Sequence, residues 1–207
     1  MRYNIFGGSK SRIVSALALS AGLCGGANAA TTTITFAPQS AETNSPFVSD
    51  AESGFTVVPT TEDAWFVGQL FGNPVPSIYD GPIDDPTTAG IQVTEAGADF
   101  TFASLDEASN GDVSDFVIVG LAGGSPKFTE LGQFAASSGS FTTYSSTVGD
   151  SIIPIDTLDV TIIPFGGANS VNLDNIVLGT TVPEPTSVSI GLGLAALGLQ
   201  RRRHRAR

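Results

Sequence analysis

Few kinds of reactive side chain are available to this chain. Its only cysteine is Cys24 and its only histidine is His204, so the 179 residues between them hold neither type. That interval cannot build a Ser-His-Asp or Cys-His centre, or an ordinary zinc site. No glycine-rich phosphate loop opens a helix. What remains is carboxylate oxygen: all 20 Asp and Glu lie between Glu42 and Glu184. Paired carboxylates can cleave glycosidic bonds. With so many acidic groups some pair is adjacent by chance, so a glycosidase or lyase is the third reading, not the first. Hard oxygen ligands also suit calcium. Asp80, Asp84 and Asp85 in the run YDGPIDDP could hold such an ion in a loop; the plain alternative is a set of solvated turn carboxylates.

The segment Asp106-Glu107-Ala108-Ser109-Asn110-Gly111 starts as an EF-hand loop does. It fails at Ala108, and Val117 stands where the closing glutamate belongs, so an EF-hand is rejected. Aromatic rings offer a second chemistry, because their broad amphipathic faces stack on sugar rings. Trp65, Tyr79 and Tyr144 are the candidates. Trp65, between Ala64 and Phe66 in a strand-like run, reads more simply as core. Tyr79, beside Asp80 in a proline-rich stretch, reads as a loop residue and the better exposed contact.

Charge narrows the classes of partner. The chain of 207 residues carries a net charge of −11, and between Ile13 and Gln200 its one basic side chain is Lys127. The phosphate-neutralising Lys and Arg that nucleic acid requires are missing from this interval. An excess of this size favours solubility, or the holding of cations.

The other basic residues sit at the two ends. Arg2, Lys10 and Arg12 precede a short apolar run, IVSALALSAGL, over residues 13–23. Ala27-Asn28-Ala29 then supplies the small-x-small pattern of a signal peptidase site, with cleavage expected before Ala30. Leu23 in front of Cys24 is too large for a lipobox. At the other end come Pro183-Glu184-Pro185, an apolar run over residues 187–199, and Arg201, Arg202, Arg203, Arg205 and Arg207. Thirteen helical residues would span roughly 20 Å, short of a bilayer core of about 30 Å, and snorkelling arginines would close part of that gap. The positive-inside rule keeps those arginines cytoplasmic and the acidic domain outside.

This C-terminal arrangement resembles the PEP-CTERM sorting signal of bacterial exported proteins. The resemblance rests on the Pro-Glu-Pro motif, the short apolar segment and the arginine cluster, in that order, over residues 181–207. It implies export, signal peptidase processing, recognition by an exosortase-like enzyme and a transient hold in the inner membrane through the C-terminal helix. Delivery would be to the cell surface or the extracellular polysaccharide matrix. The expected organisation is a signal peptide over 1–29, an ectodomain over 30–180 and a sorting signal over 181–207.

The ectodomain has the texture of an all-β fold. Short runs rich in Phe, Val, Ile and Thr alternate with clusters of Gly, Pro, Asn, Asp and Ser. Strands are expected over 32–36, 55–58, 64–69, 91–94, 99–105, 116–121, 127–134, 140–144, 157–163 and 171–178. Alternation places Phe100 and Phe102 on one face, and likewise Leu158, Val160 and Ile162. No stretch has sustained helical periodicity. About ten short strands in a chain of this length predict a jelly-roll-like antiparallel β-sandwich. Residues 98–179 are similar to the jelly-roll ectodomains often joined to PEP-CTERM tails, which are in turn similar to carbohydrate-binding modules. Phe102-Ala103-Ser104-Leu105-Asp106 and Leu173-Asp174-Asn175-Ile176 carry that resemblance, and it implies a structural ion at Asp174. The functional expectation is a surface or matrix protein with a structural or adhesive role. A calcium-assisted carbohydrate-binding module, with Tyr79 and Trp65 as contacts, is the second reading.

Overall fold

The computed structural model describes residues 30–40, 42–61, 64–80, 88–164 and 170–180. Ala27, Ala29, Asp84, Asp85, Pro183, Glu184 and Pro185 lie outside these, as does the apolar run expected to form the C-terminal helix. Among the described residues there are thirteen strands, a 3-10 turn over Asp150–Ile152 and no α-helix. No helix there is long and apolar enough to cross a membrane.

Two curled sheets pack face to face in an all-β fold. The six-stranded sheet runs in the order β2 (Asp50–Glu52), β3 (Phe55–Pro59), β6 (Ala89–Glu95), β12 (Thr157–Pro164), β8 (Ser114–Ala122), β9 (Ser125–Phe134). All its pairings are antiparallel. The seven-stranded sheet is built on β7 (Phe100–Asn110), β13 (Ser170–Thr180), β5 (Ser77–Asp80) and β4 (Trp65–Gly68). Its outer edge on β7 is finished by β10 (Ala136–Ser137) and β11 (Thr142–Ser145). On its other side β13 pairs with β5 near its start and with β1 (Ala30–Ile34) along its second half.

The period-2 pattern sets which side chains enter the core. Phe100, Phe102, Leu158, Val160 and Ile162 are all fully buried, as their alternation predicts. The rings of Phe55 and Phe100 join the two layers edge to face, 5.3 Å apart. Two glycines in the β8–β9 pair act as notches for aromatic rings. Gly120 is opposite Phe128 and Gly132 is opposite Phe116. A Cβ on Gly120 would stand 2.2 Å from the Phe128 ring, and one on Gly132 would stand 2.5 Å from that of Phe116.

Each of the ten expected strands is present, with ends displaced by a few residues. β2, β5 and β10 were not expected. β5 matters most, because it moves Tyr79 and Asp80 from a supposed loop into the middle of the seven-stranded sheet, between β13 and β4.

Candidate functional site

The outward face of the seven-stranded sheet is polar along β13 and its neighbours, where its inward face is mainly apolar. Val171 and Leu173 of β13 are buried in the core, so Ser170, Asn172 and Asp174 face the other way. The same alternation turns Ala108 and Asn110 of β7 outward, and Ser77 and Tyr79 of β5. Registration lines these residues up across four strands: Ala108, Asn172, Tyr79 and Phe66 share one row. The next row pairs Asn110 with Ser170.

Hydrogen bonds join the rows into a ladder. The Asn110 Nδ2 donates to Ser170 Oγ at 3.0 Å and to Asn172 Oδ1 at 2.8 Å. Asn172 Nδ2 in turn donates to Ser77 Oγ at 3.1 Å. The Ser170 hydroxyl proton and the Asn110 carbonyl oxygen keep capacity for a further partner. Above this floor lies a groove of about 490 Å³, within the range of roughly 300–1,000 Å³ common for small-ligand sites. Ala108 and Asn172 form its base. Its walls are Leu70, Phe71 and Gly72 from the β4–β5 loop, and Gly139 and Phe141 from the connection between β10 and β11. Asn44 and Tyr79 close one end, with the Tyr79 hydroxyl donating to Asn44 Oδ1. Phe71 and Leu70 are 54% and 77% exposed, so the wall presents apolar surface to solvent. Tyr79 lies 5.8 Å from the Phe66 ring, and burial raises its phenol above the ordinary tyrosine range.

The β4–β5 loop is held down by the closing strand. Asp174 is fully buried, its Oδ2 accepting from the Asn73 backbone N–H at 2.6 Å and its Oδ1 from that of Asn175 at 2.8 Å. Asn175, at a left-handed φ of 44°, donates from Nδ2 to the Asn73 carbonyl and to Asp106 Oδ2. Thr143 Oγ1 donates to the other oxygen of Asp106 at 2.6 Å. Burial pushes the Asp174 carboxyl up to about 6, opposed by the two N–H groups that favour its charged form.

These contacts change the sequence-based assignments. Asp174 pins a loop, and Asp80 stands elsewhere. Asp80 shares the inward side of β5 with Ile78 and is 1% exposed, with Oδ1 accepting from the Val171 N–H. Its other oxygen has no hydrogen-bond partner, and burial pushes its pKa up to about 7. The two candidate calcium ligands therefore face opposite sides of one sheet and cannot share an ion; Asp84 lies outside the described residues. Among the described residues no group of three or more His, Cys, Asp and Glu could hold a metal ion. Trp65 is not a surface contact: it is 1% exposed, and its Nε1 donates to the Gly90 carbonyl at 3.0 Å. Tyr144 is half-buried against Phe116 and donates to Glu130 Oε2 at 3.1 Å. Of the candidate metal ligands and aromatic contacts, Tyr79 is the one at the groove; Ala108 and Asn110, from the rejected EF-hand segment, line it too.

Asp106 and Asp174 stand directly opposite each other on β7 and β13, as a hydrolytic pair would. All four of their oxygens accept internal hydrogen bonds: those of Asp174 from the Asn73 and Asn175 N–H groups, those of Asp106 from Thr143 and Asn175. This pair is committed to holding the fold.

No family model matches the chain, and no curated protein matches it. Solved structures of similar shape share little sequence with it. A family 29 carbohydrate-binding module from Piromyces equi is 16% identical, with 74% of this chain and 92% of that one covered, at a TM-score of 0.46. A family 32 module from C. perfringens, solved with galactose, is 15% identical over 65% and 98% of the two chains, at 0.42. An arabinose-bound α-L-arabinofuranosidase is 13% identical at 0.46; the match covers 72% of this chain and 26% of that much longer one.

Proposed function

We propose that this chain is a carbohydrate-binding protein of the cell exterior, which holds a glycan in the groove on the outward face of its seven-stranded sheet. The composition of the groove carries the reading. A base of amides and hydroxyls in a fixed ladder matches the hydroxyl pattern of a sugar, and the flanking Phe71, Tyr79 and Phe141 match its apolar ring faces. The carboxylate pair nearest to it spends all four oxygens on internal hydrogen bonds, which favours binding over hydrolysis. Such a protein, bound to matrix polysaccharide, serves an adhesive or structural role.

The two ends of the chain supply its route outward. The N-terminal segment is a signal peptide cut after Ala29. The tail is read at Pro183-Glu184-Pro185 by an exosortase-like enzyme while its apolar run holds it in the inner membrane. The support for this part is the ordered sequence of basic, apolar and motif segments at the two ends.

The test is a pull-down of the full chain with the extracellular polysaccharide of the cells that make it, with calcium and with chelator. Retention in both conditions, lost in Phe71→Ala, is the expected result. Retention that the chelator abolishes would favour the calcium-assisted form of the reading. No retention in either condition would remove that polysaccharide as the ligand.

A further inference from the structure

The groove is uncharged, in a protein that is otherwise strongly anionic. Its floor and walls, among the described residues, carry amides, hydroxyls and apolar side chains and no Asp, Glu, Lys or Arg. Lys127, the one basic residue among the described residues, belongs to β9, an edge strand of the other sheet, and does not line the groove. Among the described residues, the charges that follow the groove base along its own strands are negative. Asp106 and Asp174 occupy the row next to Ala108 and Asn172 on the same face, two residues along each strand, which is roughly 7 Å. That distance lies within one Debye length at physiological salt, about 8 Å, so these charges act on whatever occupies the groove.

We infer that the groove selects uncharged polysaccharide and rejects anionic polymers such as uronates. This rests on the carbohydrate-binding reading and names the ligand class for it. A uronate carboxylate entering here would lose hydration without gaining a cationic partner, and would approach a surface of its own sign. A neutral sugar meets no such cost. Its hydroxyls take the free valences of Ser170 and Asn110, and its ring face lies against Phe71. Recognition of this kind is indifferent to salt, because no ion pair is formed on binding.

The experiment is affinity electrophoresis of the full chain through gels containing glucomannan, xyloglucan or galactan as neutral probes, and alginate or hyaluronate as anionic ones. It is run at low and high NaCl and with chelator. Retardation by at least one neutral polymer is expected, unchanged by salt and chelator, weakened at least fivefold in Phe71→Ala, with none by the anionic polymers. Phe71 is exposed, so this variant keeps its fold, and an unshifted melting temperature verifies it. Retardation by alginate or hyaluronate alone, still sensitive to Phe71→Ala, would overturn the selectivity and leave the carbohydrate-binding reading standing. Neutral binding that Phe71→Ala leaves intact would overturn the assignment to this groove. No retardation by any polymer would overturn both.

Discussion

At the scale of single residues, Tyr79 and Trp65 show how the same side-chain chemistry is put to opposite uses. Both were singled out for their ring faces. Register sends one to each side of the sheet: Trp65 into the core with its N–H satisfied, and Tyr79 outward to the end of the groove. Tyr79→Phe removes the hydroxyl that fixes Asn44. We expect it to cost about 0.5–1.5 kcal/mol of stability and to weaken glycan retention, read by denaturant melts and by affinity electrophoresis. Trp65→Ala should cost about 3–5 kcal/mol through the cavity it leaves, visible as a large fall in melting temperature. A loss of retention without loss of fold in Trp65→Ala would contradict its placement. Ser170 and Asn172 gave no such signal in the sequence, and Asn110 entered only through the rejected EF-hand segment. Asn and Ser are also the residues of turns and of solvated strand faces, and only the strand register shows that these three bond to one another. Phe71 was equally silent, since a lone aromatic between glycines and prolines has no period to place it.

Among the elements, the β4–β5 loop is the part that makes the site. Its Gly72 has a φ of +147°, and a Cβ there would meet the Pro74 carbonyl oxygen at 2.6 Å and the Val75 Cα at 2.7 Å. Gly72→Ala should therefore displace the wall that carries Phe71. Retention is expected to fall several-fold, with the core of the fold, followed by amide exchange in β7 and β13, unchanged. Asp174→Ala releases the same loop from beneath and should lower stability by about 1–3 kcal/mol as well, because two N–H groups lose their partner. The strands that sequence reading found are those long enough to alternate, such as β7, β12 and β13. β2 and β10, with three and two residues, are too short to show a period. β5, Ser77–Asp80, follows NPVP and runs into Gly-Pro, which read as turn punctuation. It is a strand because β13 and β4 bond to it on both sides, and that partnership is tertiary.

For the whole molecule, buried carboxylates set the response to pH. Burial pushes Asp80 and Glu107 up to about 7 and Asp174 up to about 6, against ordinary values of 3.8, 4.5 and 3.8. A carboxyl whose folded pKa is raised contributes stability that is fully present below its unfolded pKa and is lost as pH rises through the folded value. The fold should therefore gain stability as pH falls from 8 to about 5. Asp156 is lowered, chiefly by the Gly123 N–H, and acts in the opposite sense only at more acid pH. Thermal melts at pH 5 and pH 8 test this, with the higher midpoint expected at pH 5; the reverse order would show that these carboxyls are not buried as described. Glu107→Gln should narrow the difference between the two midpoints, since one buried charge is then gone.

The strand β13 runs from the groove to the point where the chain leaves the sheet. Asn172 sits in the groove base, and Thr180, paired with Ala30, ends the strand about 26 Å further on. Between those points β13 is bonded to β7 on one side and to β5 and β1 on the other. Consider a pull applied between a glycan in the groove and an anchor beyond Thr180. It would run along this central strand and load its hydrogen bonds side by side, in shear, so none could open alone. Ala30 and Thr180 pulled apart would instead unzip β1 from β13 one bond at a time. The same domain should thus resist drag on a ligand held in the groove far better than traction on its two ends, a mechanical asymmetry that would suit the matrix-binding role proposed above.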